Sequence, residues 1–139
     1  MCGIANCGPD SDGFIFIGVA DKKSDADRIF ELDGVIPDII NNRYVVGIER
    51  ELAIGGLSYD NYVDKIISSI RVSELSEPAK SQILASIDLI EYKSKNVVRI
   101  RMPKQTSLSF VGTDSYIREG SNTIILKGPR LLSISKLFE

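Results

Sequence analysis

The sequence predicts an α+β fold: a single domain with a mixed, largely antiparallel sheet, a buried central strand and two or three packing helices. Three observations carry this expectation. A chain of 139 residues supplies one core but not two. Several short runs are apolar with strand-like character, and one long run has helical period. Short turn-rich breaks separate neighbouring apolar runs, which reads as β-hairpins.

The elements follow in order. Gly3 to Gly8 (GIANCG) reads as the last turn of a helix ended by Gly8 and Pro9. A helix that opens at residue 3 lacks its start, so the chain is expected to be an excised piece of a longer protein. DGFIFIGVADK, residues 12 to 22, comes next. Phe14 and Phe16 would point one way and Ile15, Ile17 and Val19 the other, and a strand apolar on both faces is covered on both sides. This strand is therefore expected at the centre of the sheet, delivering Asp21 to an edge. Gly18 lies inside it, where a glycine marks a bulge or the close approach of another backbone.

A short helix is predicted over Asp25 to Leu32, capped by Ser24 and stopped by Gly34. YVVGI, residues 44 to 48, is a second strand. Tyr59, Tyr62, Val63, Ile66, Ile67 and Ile70 follow helical spacing behind Ser58, which makes 59 to 71 the clearest helix and its stripe core. AKSQILA continues as a short helix after Pro78. Ile87 to Tyr92 and Val97 to Met102 form a hairpin around KSKN, with Val98, Ile100 and Met102 on one face and Arg99 and Arg101 on the other. SYIRE and TIILK are two more strands joined at Gly120 and Ser121. LLSISKLFE closes the chain as a helix or strap.

Composition excludes several chemistries. There is no histidine, so a Ser-His-Asp or Cys-His device and a His-ligated zinc are ruled out. Any metal would be a hard cation held by carboxylates. Cys2 and Cys7 fit neither a disulfide framework nor a zinc spacing, and are expected to be reduced. No phosphate-binding glycine loop is present, and the calcium-loop pattern suggested by Asp10, Asp12 and Gly13 fails because Ile15 stands where glycine is required. No apolar run reaches the length of a membrane span and no leader opens the chain, so a cytoplasmic location is expected. The net charge of −2 conceals a polarity: residues 1 to 60 carry 5 basic and 11 acidic side chains, residues 61 to 139 carry 12 and 8. A basic half hints at an anionic partner, or simply at solvated lysines.

One pattern is more specific than any single motif. GIAN, a glycine-bearing turn, GFIFIGVAD, then VVGI, and finally YIREGSNT behind a hairpin together resemble the AlbA_2 or Schlafen-type nucleic-acid-binding domain. The resemblance runs from about Gly3 to Thr123. It implies a structural role for Gly13 and Gly18, the family's glycine pair being Asp12-Gly13 here. It places Asp21 at the acid that joins a carboxylate cluster in members that cut RNA, and Arg118 at the family's late arginine. The family's glutamate-rich segment before the helix has no counterpart in this chain.

Asp21 then has three readings: a turn residue closing its strand, one member of a carboxylate cluster completed in a longer protein, or an ion-pair partner of Lys22 or Lys23. Arg99, Arg101 and Lys104 lie on or just beyond one hairpin arm, where alternate strand side chains sit about 7 Å apart, close to the spacing of successive phosphates. With Arg118 they are the candidate nucleic-acid-binding residues, and solvation of an outer face is the competing account.

The expectation is a DNA- or RNA-binding or regulatory module, of the kind attached to transcription-regulator-like or ATPase-like chains. It has no catalysis and no cofactor of its own. A metal-dependent Schlafen-like RNA-cleaving enzyme, using a divalent metal and with its active acids partly outside this chain, is the alternative. An edge-strand protein-interaction module is the third reading. A homodimer and contacts with other domains of a parent chain are expected partners.

Overall fold

Two-residue turns set the register of much of the β-structure. The computed structural model describes all 139 residues. Its helices are α1 (Cys2–Ala5), α2 (Lys23–Asp33), α3 (Glu49–Gly55), α4 (Tyr59–Val72), α5 (Ala79–Leu84) and α6 (Gly128–Ser135), the last followed by a 3-10 turn, Lys136–Phe138. Its strands are β1 (Gly13–Ile17), β2 (Val19–Ala20), β3 (Asp38–Ile40), β4 (Arg43–Val45), β5 (Ile87–Tyr92), β6 (Lys95–Met102), β7 (Ser115–Glu119) and β8 (Asn122–Leu126). The architecture is α+β, with three small antiparallel sheets ordered β1-β6-β5, β2-β4-β3 and β7-β8. No helix is long and apolar enough to cross a membrane.

β6 is the buried central strand. Val97, Val98, Ile100 and Met102 are at most 5% exposed, and the strand is paired on both sides. The sequence pattern had assigned that place to residues 14–19. β1 is instead an edge strand, with Phe14 and Phe16 45% and 49% exposed. An apolar run shows which faces avoid water, whereas the centre of a sheet is decided by long-range pairing that the run does not encode.

Residues 1–15, 67–87 and 100–139 form one compact unit, residues 16–66 and 88–99 a second. In the first, β7 and β8 pair from Ser115↔Leu126 to Glu119↔Asn122, across a two-residue turn in which Gly120 takes φ +57°. α1 lies on β7. A Cβ at Gly3 would stand 3.2 Å from Thr123 Cγ2 and 3.3 Å from the Arg118 nitrogen, so the helix reaches the hairpin backbone only through a glycine. A Cβ at Gly13 would meet Ile4 Cγ2 at 2.2 Å, so a side chain there would have to displace Ile4. Ala5, Leu75, Ala79, Ile83, Ile117 and Leu126 fill the core of this unit. α6 buries no residue.

In the second unit β4 pairs with β2 (Val19↔Val45) and with β3 (Ile39↔Tyr44). The sequence pattern did not anticipate β3 or α3. Asn41 and Asn42, φ +46° and +59°, make the turn between β3 and β4. Lys93 and Ser94, φ +47° and +67°, do the same between β5 and β6. Two successive positive φ values define a type I′ turn, whose twist suits an antiparallel hairpin. α2 ends at Gly34 in the left-handed conformation, as predicted, but starts at Lys23 with no side-chain cap from Ser24. Ser58 Oγ accepts the Asn61 N–H at 3.1 Å and caps α4.

Candidate nucleic-acid interface

Arg101, Lys104 and Arg118 are exposed and Arg99 is half-buried, and three of the four have carboxylate partners. In the first unit Arg101, near the end of β6, donates through Nε to Asp12 Oδ1 at 3.0 Å and through Nη2 to Oδ2 at 2.8 Å. This is a planar fork-on-fork pair. The guanidinium hydrogen-bonded to Asp12 holds its carboxyl below the usual carboxylate value, and Asp12 in turn raises Arg101. Lys104 Nζ stands 3.4 Å from Asp10 Oδ1. Arg118 is exposed near the end of β7, and Arg130, on α6, pairs with Glu119. In the second unit Arg99 Nη2 donates to Asp88 on β5 at 2.8 Å. Arg101, Lys104 and Arg118 therefore share one unit, whereas Arg99 belongs to the other.

Asp21 lies just beyond β2, its side chain 69% exposed, and pairs with Arg43 Nε on β4 at 3.0 Å. Its partner is neither Lys22 nor Lys23. Lys23 is engaged with Asp27 one helical turn on, at 2.7 Å. No group of three or more histidine, cysteine, aspartate or glutamate side chains gathers to hold a metal ion.

The separated sequence blocks are brought together in pairs. GIAN meets YIREGSNT around Asn6, which is fully buried. Asn6 Nδ2 donates to the Ser109 carbonyl (2.9 Å), Ser115 Oγ (2.9 Å) and the Tyr116 carbonyl (2.8 Å), and Oδ1 accepts the Ser109 N–H at 2.8 Å. The buried Cys2 thiol donates to the same Ser109 carbonyl, and burial pushes its pKa up. Neither cysteine is in a disulfide, Cys2 being buried and Cys7 exposed. In the second unit GVAD meets VVGI, the Gly18 carbonyl accepting the N–H groups of Val46 and Gly47, both at 2.9 Å.

Sequence reasoning missed Glu49. Its Oε1 accepts the Asn96 N–H (2.6 Å), Asn96 Nδ2 (3.0 Å) and the Tyr59 hydroxyl (3.3 Å). Burial alone would raise this carboxyl, but the hydrogen bonds from Asn96 and Tyr59 outweigh it and hold it below its usual value. A depressed folded pKa gives stability that is present above the unfolded value, about 4.3, and is lost as pH falls through the folded one. Glu49→Gln should therefore lower the urea midpoint at neutral pH, and the gap from wild type should narrow toward about pH 3. A gap constant with pH would show that the charge of Glu49 contributes nothing.

The second unit also carries an apolar groove of about 410 Å³, lined by Phe16, Ile40, Val45, Ile90 and Tyr92, with Arg43 on its wall. That volume falls in the range of small-ligand and peptide-anchor pockets. No protein-family model, curated protein sequence or solved structure matches this chain.

Proposed function

We propose that the chain is a nucleic-acid-binding module of the AlbA_2 or Schlafen type, without catalysis of its own. The observation that carries this reading is the Arg101 fork, presented half-exposed on the last residues of β6 beside Lys104. Both belong to the unit in which basic side chains outnumber acidic ones, eight to seven, rising to six against three over residues 100–139. The acidic partners do not close the site. Exposed ion pairs are worth about 0–1 kcal/mol and are screened by salt, so a phosphate, which takes the same bidentate geometry from arginine, exchanges for Asp12 at small cost.

This mechanism gives opposite signs for two sets of substitutions. Arg101→Gln with Lys104→Gln should weaken binding to single- and double-stranded oligonucleotides alike. It should also flatten the plot of log affinity against log salt by roughly 1.5 units, at about 0.7 to 0.9 per phosphate contact. Asp10→Asn with Asp12→Asn removes the competing anions and should tighten binding. Fluorescence anisotropy at three or more salt concentrations reads both. Wild-type protein that fails to bind at low salt, or an Asp-to-Asn pair that leaves affinity unchanged, would sink the reading. In the same samples with manganese, transfer RNA and single-stranded DNA should stay intact. Cleavage that vanished on Asp21→Ala would instead favour the nuclease alternative.

A second reading, a protein-interaction module, is favoured by one observation. The apolar groove lies in the more acidic unit, where 12 acidic side chains face 9 basic ones.

A further inference from the structure

One face of the β2-β4-β3 sheet builds the groove of the second unit. Arg43 pairs with Ile40, and Val45 with Val19. Paired residues point to the same side of a sheet, and so do residues two apart on one strand. Ile40, Arg43, Val45 and Val19 therefore share a face, and all four line the groove. Val45 and Val97 are buried and form its depth, Ile40 and Phe16 are exposed at its lip, and Ile90 and Tyr92 of β5 make a further wall. This lining carries one charge, that of Arg43. Arg43 and Asn41 flank Asn42 at the β3–β4 turn, so a guanidinium and an amide stand together at the turn end of a recess whose other lining is aliphatic or aromatic.

Arg43 is placed to take an anion. Its side chain is 56% exposed, with Nε 3.0 Å from Asp21 Oδ1 and Nη1 donating to the Asn42 carbonyl at 3.3 Å. These contacts orient the guanidinium and leave Nη2. The exposed pair with Asp21 is weak and screened by salt, so a second carboxylate takes the arginine fork at small cost.

We infer that the groove binds a small carboxylate with an apolar body, the class of a medium-chain fatty acid, its chain against Val45, Val97 and Ile90 and its head on Arg43. The volume of about 410 Å³ holds about a dozen non-hydrogen atoms at ~30 Å³ each, which is a chain of roughly eight to ten carbons with its head group. Apolar walls with a few polar groups in one place are the usual make-up of a small-molecule site. Here they fix the direction of the ligand as well as its class. The site is independent of nucleic-acid binding, whose candidates Arg101 and Lys104 belong to the other unit, and it gives the groove a small-molecule occupant in place of a protein one.

The test is a titration of the full chain with octanoate and with octanol, which has the same chain length and no charge, followed by amide chemical shifts in nuclear magnetic resonance. Octanoate should bind wild type with a Kd of about 1 mM or tighter, and octanol about tenfold more weakly. The shifted amides should centre on residues 40–45 and 90–97. Arg43→Gln should weaken octanoate about tenfold, to the level of octanol, and leave octanol as it was. Asp21→Asn removes the competing carboxylate and should tighten octanoate. Both substitutions are at exposed positions, and unchanged thermal midpoints show that the variants are folded. The opposite signs separate recognition of the head group from a general loss of structure, which would weaken both ligands in both variants.

Wild type that binds no octanoate at 10-fold the expected Kd, about 10 mM, overturns the proposal. So does equal affinity for octanoate and octanol, which would show a groove that takes apolar chains without reading the charge. Octanoate affinity unchanged in Arg43→Gln, or shifts that centre on the first unit, overturns it equally.

Discussion

Asn6→Leu is expected to cost roughly 3–6 kcal/mol, a large share of the 5–15 kcal/mol by which domains of this size are stable. The amide makes four hydrogen bonds from a fully buried position. Their loss is unequal. The Ser109 carbonyl keeps the Cys2 thiol and Ser115 Oγ as donors, and Ser115 Oγ is itself still bonded. The Ser109 N–H and the Tyr116 carbonyl lose the partner that Asn6 supplies, and each buried orphan costs about 1–3 kcal/mol. Leucine has the same number of side-chain heavy atoms as asparagine but is bulkier, and its branched apolar end faces two carbonyls here. Urea unfolding of the single variant, followed by circular dichroism, measures the cost. Asn6→Asp is the companion: it keeps the shape and the acceptor but removes the amide donors and sets a carboxylate against the same two carbonyls, so it should be at least as damaging at neutral pH. A midpoint shift below about 0.5 kcal/mol in both variants would show that water replaces the amide and that Asn6 is not the joint of this unit.

Asn6 also shows where the sequence stops being legible. GIAN can be recognised as a helix end from the glycine and proline that follow it, but the partners of Asn6 lie 103 to 110 residues away, and nothing local encodes them. Arg101 presents the same difficulty. Strand alternation correctly separates Arg99 and Arg101 from Val98, Ile100 and Met102, yet Asp12, which pairs with Arg101, stands 89 residues earlier. Periodicity found α4 and the hairpin of β5 and β6, but of the α4 stripe expected to be core only Ile70 is buried, Tyr62, Val63, Ile66 and Ile67 being half-buried and Tyr59 exposed. It missed β3 and α3, which are short and whose register comes from the Asn41-Asn42 turn and from packing. It also took β1 for a central strand, because an apolar run carries no record of which strands pair with it. The candidate cations were legible as residue types. Their interleaving with Asp10, Asp12 and Asp88 was not, and that interleaving is what makes the sign of an Asp-to-Asn substitution informative.

Gly18→Ala is expected to cost roughly 2–5 kcal/mol. Two separate effects add at this position. Gly18 adopts φ +102°, a conformation that side-chain-bearing residues rarely take and that costs of order 1–2 kcal/mol or more for alanine. A Cβ placed there would also stand 3.1 Å from the Gly47 carbonyl carbon, 3.2 Å from the Gly47 Cα and 3.3 Å from the Asn96 carbonyl oxygen. These are backbone atoms, which cannot swing aside as the end of a long side chain can. Relief would have to move the segment whose Val46 and Gly47 N–H groups bond to the Gly18 carbonyl, or β6 at Asn96, and overpacking of this kind costs about 1–3 kcal/mol. The glycine inside GFIFIGVAD is thus where the chain ends β1, turns into β2 and lets the VVGI backbone come within reach. Gly34→Ala is the internal control, because it too has a positive φ, +69°, but a Cβ there meets nothing within 4 Å. It should show the conformational cost alone. Equal losses of stability in Gly18→Ala and Gly34→Ala, measured by urea unfolding, would mean that the close approach of Gly47 to Gly18 adds nothing and that only the backbone angle requires a glycine. A loss for Gly18→Ala larger by about 1 kcal/mol or more would assign the difference to the contact.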